Sequence, residues 1–225
     1  MSSSATPFQQ YLEALLEGDV RGMERQVTVL LDAGTPLVTI LRDYVRAGMY
    51  EVGRLWACGE ASVAVEHLAA SATSLLLSQF RFHPEHAPAS GRRAIIACVP
   101  DERHDIGALM VANLCDIAGW KVMLLGADTP AADLLSLVAQ HEPDMLGLSA
   151  TLPASRPQLE ATVDRAGARF PMLEILVGGQ ALDDASDEPR YRKDLLARFP
   201  RLRYLHTLEE LQTYLRPRDV PHPVG

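Results

Sequence analysis

Glu102, His104 and Gly107 stand together in the stretch PDERHDIGALMV, residues 100–111, between an apolar run and a helical pattern. An imidazole can hold a metal through one ring nitrogen while a carboxylate accepts a hydrogen bond from the other. That second contact fixes the tautomer and tunes the donor. Glu102 is two residues before His104, close enough to be that carboxylate. Gly107 leaves room for a bulky ligand or for backbone to pass closely. A lone histidine in a loop is more often an ordinary surface residue, so the surroundings of this loop decide its meaning.

Those surroundings alternate strand and helix. AIIACV (94–99), KVMLLG (121–126), DMLGLSA (144–150), EILVGG (174–179) and LRYLHT (202–207) read as strands. Helical patterns fill 106–119, 131–141, 156–170 and 208–215. Such alternation predicts an α/β fold, a Rossmann-like (flavodoxin-like) parallel five-stranded sheet with helices on both faces. Ligands of such sheets bind at the carboxyl ends of the strands, where the strand order reverses. The Glu102–Gly107 loop follows the first strand and lies at that edge. GLSATLPAS adds Ser149, Thr151 and Ser155 after the third strand, and VGGQAL adds Gly178 and Gly179 after the fourth.

Residues 6–82 read differently. Apolar residues recur at helical spacing (Leu12, Leu15, Leu16; Met23, Val27, Leu30, Leu31; Leu37, Ile40, Leu41, Tyr44, Val45), with breaks at 17–19, 32–36 and 57–62. The spacing predicts an N-terminal four-helix bundle with short connections. RFHPEHAPASGRR (81–93) has linker composition, and we place the linker at 83–92; its His83 and His86 are read as solvated residues rather than a metal site. The sheet domain then spans 93–216, and the tail 217–225 is expected to be disordered. The formal net charge of −8 argues against a bare nucleic-acid-binding surface, which needs clustered Lys and Arg. No apolar run has transmembrane length and MSSSATPFQQ has no signal-peptide shape, so a cytoplasmic protein with no membrane contact is expected. Cys58, Cys98 and Cys115 form no CxxC pair and are expected to be three buried thiols.

The rim residues follow one another as ExHxxG, 41 residues, SxT, 26 residues, GG. This order and spacing resemble the cobalamin-binding domain of methionine synthase, the base-off mutases and related proteins. The resemblance covers residues 93 to about 215. It implies that His104 binds cobalt from below, as the metal ligand, and that Glu102 hydrogen-bonds that histidine. It implies further that Ser155 completes the relay and that Ser149 and Thr151 line a slot for the displaced dimethylbenzimidazole. Gly178 and Gly179 would let the nucleotide tail lie against the backbone. Arg103, Asp105, Ile106, Leu152 and Gln180, which flank these positions, complete the expected binding set. Two departures from the family pattern are Glu for Asp at 102 and Thr for Leu at 151; neither removes a donor the chemistry needs. The bland alternative is a flavodoxin-like domain without a ligand.

In this family a helical bundle covers the upper face of the corrin. Trp56, nine intervening residues and Glu66-His67 resemble the W-x9-EH signature of the CarH and LitR type of adenosylcobalamin-dependent light-sensing repressors. The resemblance implies that Trp56 shields the adenosyl carbon, that Glu66 accepts hydrogen bonds from ribose hydroxyls and that His67 lies beside it. It also implies a switch: light breaks the cobalt–carbon bond, and loss of the adenosyl wedge lets the bundle shift. Packing inside the bundle is the plain alternative for Trp56, and a solvated helix face for Glu66. Those repressors carry a MerR-type DNA-binding domain before the bundle. Here the sequence opens almost at the bundle, so no direct nucleic-acid contact is expected, and the signal would pass through a homo-oligomer or a separate regulatory protein. Some of those sensors have a histidine directly after the tryptophan, where this sequence has Ala57. The expected cofactor is cobalamin, with its cobalt, as adenosylcobalamin ahead of methylcobalamin. A non-enzymatic sensor is the leading expectation, and a corrinoid carrier of a methyltransferase system is the alternative. The small subunit of a mutase ranks behind both, since such subunits rely on a barrel partner.

Overall fold

In the N-terminal half, the first and last helices each begin at a side-chain cap. In the computed structural model, residues 5–80, 87–183 and 189–216 are described. The chain divides into two compact units, Met1–His83 and Pro84–Gly225. His83, His86, the opening of the linker and the tail 217–225 lie outside the described residues.

In the first unit, helix α1 (Pro7–Glu17) starts where Thr6 and Gln9 form a reciprocal capping box. Pro7 sits in its first turn, where a missing N–H costs nothing. Helix α2 is Val20–Asp32. The third helix is continuous: α3 (Leu37–Ile40), a π-helical turn (Leu41–Arg46) and α4 (Ala47–Ala57). In the π turn the Ala47 N–H reaches the Arg42 carbonyl, five residues back, so one extra residue is folded into the helix. Helix α5 (Val63–Gln79) is capped by Ser62, whose hydroxyl accepts from the Val65 N–H. Tyr11, Leu15, Met23, Ile40, Leu41, Val52, Leu76 and Leu77 fill the core between them. This is the expected four-helix bundle, with a π turn that the apolar spacing does not betray.

The second unit holds strands β1 (Arg93–Cys98), β2 (Lys121–Gly126), β3 (Met145–Ser149), β4 (Glu174–Gly178) and β5 (Leu202–Tyr204). All pair in parallel, in the order β2-β1-β3-β4-β5, the flavodoxin-like arrangement. Helices α6 (Ile106–Ile117), α7 (Ala131–His141), α8 (Arg156–Arg169), α9 (Pro189–Leu196) and α10 (Leu208–Leu215) accompany them. β1 and β3 are covered on both faces, which is why they read as unbroken apolar runs, whereas the edge strand β2 is only half-buried. Ile95, Leu134, Leu146, Leu159, Val163 and Ile175 form the core on one side of the sheet.

Three expectations change. Strand β5 ends at Tyr204 rather than 207, because His206 and Thr207 turn away to cap α10: the His206 N–H donates to Glu210 Oε2 (2.7 Å) and Thr207 accepts from the Glu210 N–H. The end of the linker is docked, with Ala87 and Ser90 N–H groups donating to the Ile117 and Gly119 carbonyls. Cys58 is exposed, not buried; it sits at the C-cap of α4, where the chain turns out through Gly59 (φ 74°), while Cys98 and Cys115 are buried. Among the described residues no helix is long and apolar enough to cross a membrane.

Candidate functional site

The strand order reverses between β1 and β3, and Glu102 bridges that point. β1 runs into a turn in which Asp101 adopts a left-handed conformation (φ 64°) and its N–H donates to Asp128 Oδ1 (2.8 Å). Gln158 Nε2 donates to Asp101 Oδ2 (2.9 Å). The loop after β2 and the first turn of α8 thus brace the loop after β1.

The turn buries the Glu102 side chain completely. A buried carboxylate is costly unless its oxygens are satisfied. Here five donors do so. Oε1 accepts from the His104 N–H (2.9 Å) and from His104 Nδ1 (2.6 Å). Oε2 accepts from the N–H groups of Thr151 (2.7 Å) and Leu152 (3.0 Å) and from Ser155 Oγ (3.0 Å). Burial pushes the carboxyl up, but the donors at His104, Leu152 and Thr151 outweigh it and hold the group at about 2. Glu102 is therefore an acceptor only, and Nδ1 of His104 must carry the hydrogen. In the uncharged ring this leaves Nε2 with its lone pair. The His104 side chain is 52% exposed, so that nitrogen belongs to a ring open to a ligand.

Ser149 pairs in register with Gly178 across β3 and β4. A side chain added at Gly178 would meet nothing within 4 Å, and one at Gly107 would meet only Ser149 Oγ at 3.8 Å. Both glycines border open space. Gly179 is different: φ is +106°, and an added Cβ would lie 2.1 Å from the Ala150 carbonyl oxygen. Backbone is packed too tightly there for any side chain. Of the flanking residues, Asp105 holds the N-cap position of α6, Ile106 opens that helix half-buried, and Arg103 is exposed. Gln180 is exposed and starts a 3₁₀ turn, Gln180–Leu182. Leu152 is exposed on the same loop as Thr151, and both reach Glu102 through backbone N–H groups.

In the first unit, Trp56 lies in the last turn of α4 and is 52% exposed, so it is not a core residue of the bundle. Glu66 ends the first turn of α5 and His67 follows it, with His67 Nδ1 2.7 Å from Glu66 Oε2. Sequence reasoning missed the backbone donors of Thr151 and Leu152, which carry no side-chain signal. It also passed over Arg156, whose Nε donates to the Ala181 carbonyl in the turn after Gly179, and Tyr191, whose ring lies against the Arg156 guanidinium. Among the described residues, no cluster of three or more His, Cys, Asp or Glu side chains could hold a metal ion by itself. A metal at this site would be held by one imidazole, with the remaining coordination supplied by its own macrocycle. The single outward imidazole, its buried acceptor and the two glycines bordering open space fit such a group.

A family described as the B12 binding domain matches residues 92–193, and a second of the same description matches residues 7–80. The chain belongs to the B12-binding domain proteins. This B12-binding chain is 30% identical, over 80% of its length, to the HTH-type transcriptional repressor CarH of Myxococcus xanthus, of which it spans 61%. It is 37% identical over 52% of its length to the repressor CarA of the same organism, of which it spans 40%. It is also 27% identical, over 78% of its length and 84% of the relative's, to the trimethylamine corrinoid protein of Methanosarcina barkeri. The solved monomethylamine corrinoid protein of Methanosarcina barkeri shares the fold, with a TM-score of 0.75 at 19% identity, covering 92% of this chain and 96% of that one. Cobalamin is the cofactor these matches assign.

Proposed function

We propose that this B12-binding chain is an adenosylcobalamin-dependent light sensor, signalling through domain rearrangement or assembly. The observation that carries the reading is Trp56: a large indole left half-exposed at the end of α4, ahead of the Glu66–His67 pair on the next helix. A tryptophan held out of its own core is suited to roof a ligand. Similarity to the CarH repressor over 80% of the chain supports the same reading.

The roles of the chain's residues follow. His104 would offer Nε2 to cobalt, with Glu102 fixing the ring through Nδ1 and Ser155 steadying Glu102. Gly107, Ser149, Gly178 and Gly179 would border the nucleotide tail. Trp56 would exclude water above the macrocycle, while Glu66 accepts hydrogen bonds from hydroxyl groups of the upper ligand. When bound, adenosylcobalamin supplies a cobalt–carbon bond that visible light breaks. Departure of the upper ligand would free Trp56 and change the surface offered to a second copy or to a regulatory protein.

The specific second reading is a corrinoid carrier for a methyltransferase, favoured by the 84% coverage of the trimethylamine corrinoid protein. Absorbance and size-exclusion profiles of the adenosylcobalamin-loaded chain, in darkness and after illumination, separate the two. The sensor reading expects a spectral change together with a change in apparent size. A changed spectrum at constant size, with methylcobalamin consumed by a methyltransferase, establishes the carrier instead.

A further inference from the structure

The turn after β4 is held from outside by side chains with no place in the binding pattern. Arg156, the first residue of α8, donates from Nε to the Ala181 carbonyl at 2.9 Å. Its guanidinium carbon lies 4.4 Å from the centre of the Tyr191 ring. Tyr191, on α9, donates its hydroxyl back to the Arg156 carbonyl at 3.3 Å. Burial, first, and the charge of Glu160 push the Tyr191 phenol up to about 12, so it remains a donor at neutral pH. A second contact pins the far end of the turn: Tyr204 Oη donates to Asp183 Oδ1 at 3.0 Å, and Arg192 stacks over the Tyr204 ring. The inner side of the turn is fixed by backbone, with the Ala181 N–H donating to the Ala150 carbonyl.

We propose that Arg156 and Tyr191 are positioning residues that set the Gly178–Leu182 turn, and through it the site's preference for a corrinoid carrying a nucleotide tail over one without. This rests on the reading above that Gly178 and Gly179 border the tail. Gly179 leaves no slack, since a Cβ added there would lie 2.1 Å from the Ala150 carbonyl oxygen. A small displacement of Ala181 therefore moves the glycine pair with it. The arginine suits this task because its planar fork can donate at one edge while its face stacks on an aromatic ring. Arg156 also directly follows Ser155, whose hydroxyl donates to Glu102. One helix start thus adjoins both the lower-ligand relay and the tail-facing turn.

The test compares binding of cobalamin and of cobinamide, which has the corrin but no nucleotide tail, to the full chain and its variants. The wild-type chain should prefer cobalamin. Arg156→Ala should lower cobalamin affinity about tenfold, the cost of one charge-assisted hydrogen bond, and leave cobinamide affinity unchanged. Arg156→Lys keeps the charge without the fork and should also reduce the preference several-fold; it carries the test if Arg156→Ala does not fold. Tyr191→Phe keeps the stacked ring and should retain most of the preference, whereas Tyr191→Ala should lose it. A folded Arg156 variant with an unchanged preference overturns the proposal. So does an equal fall for both ligands, which marks a merely structural role. A wild-type chain that does not distinguish the two ligands overturns the tail-site reading itself, whatever the variants do.

Discussion

At the scale of residues, the site depends on one buried carboxylate with five donors. Removing Glu102 leaves three backbone N–H groups, the Ser155 hydroxyl and an imidazole nitrogen without their acceptor. Glu102→Ala should therefore destabilise the cofactor-free protein by about 3 kcal/mol in urea unfolding; a change below about 1 kcal/mol would mean those donors find other partners. Cysteine chemistry gives a second prediction. Burial pushes the Cys98 and Cys115 thiols up to about 12, while Cys58 is exposed. Iodoacetamide at pH 8 should label Cys58 alone in the folded chain, as read by peptide mass spectrometry. Labelling of Cys115 under native conditions would contradict its burial. Glu102, His104 and Ser155 were legible in the sequence because each acts through its side chain. Thr151 was singled out for its place in the SxT pattern and Leu152 only as a flanking residue; what both give Glu102 is backbone N–H, which no side chain announces.

At the scale of elements, two adjacent glycines make opposite predictions. Gly179→Ala drives a Cβ into the Ala150 carbonyl at a positive φ and should cost about 2 kcal/mol or more of stability. Gly178→Ala meets open space and should leave stability within about 0.5 kcal/mol while weakening cobalamin binding. Thermal unfolding beside a binding titration reads both, and a stable Gly179→Ala would show that the turn can relax. Ser62→Ala should cost about 1 kcal/mol by uncapping α5, the helix that carries Glu66 and His67. The strands and the bundle breaks follow from apolar period, and the starts of α1, α5 and α10 from capping chemistry. The exceptions have physical causes. Helix α9, PRYRKDLL, has too few apolar residues to show a period. The π turn at Leu41–Arg46 inserts one residue without disturbing composition. β5 is cut short by the cap of the helix that follows it.

At the scale of the whole molecule, the sequence changes period near residue 90, and the structure divides into a helical unit and a sheet unit. The proposed sensor draws on residues of both: His104 in the sheet unit and Trp56 in the helical unit. Trp56→Ala should weaken adenosylcobalamin binding by roughly tenfold, as loss of a large aromatic contact does, and leave methylcobalamin binding unchanged; equal losses for both would mean that Trp56 does not read the upper ligand. The most direct measurement concerns the lower face. Nitrogen-15-labelled protein is loaded with unlabelled cobalamin, reduced to the cobalt(II) form and examined by electron paramagnetic resonance. If His104 holds the metal, the nitrogen splitting changes from the nitrogen-14 triplet to a nitrogen-15 doublet, and His104→Ala abolishes the change. A triplet that persists in labelled protein would show that cobalt keeps the cofactor's own base, and would contradict the account.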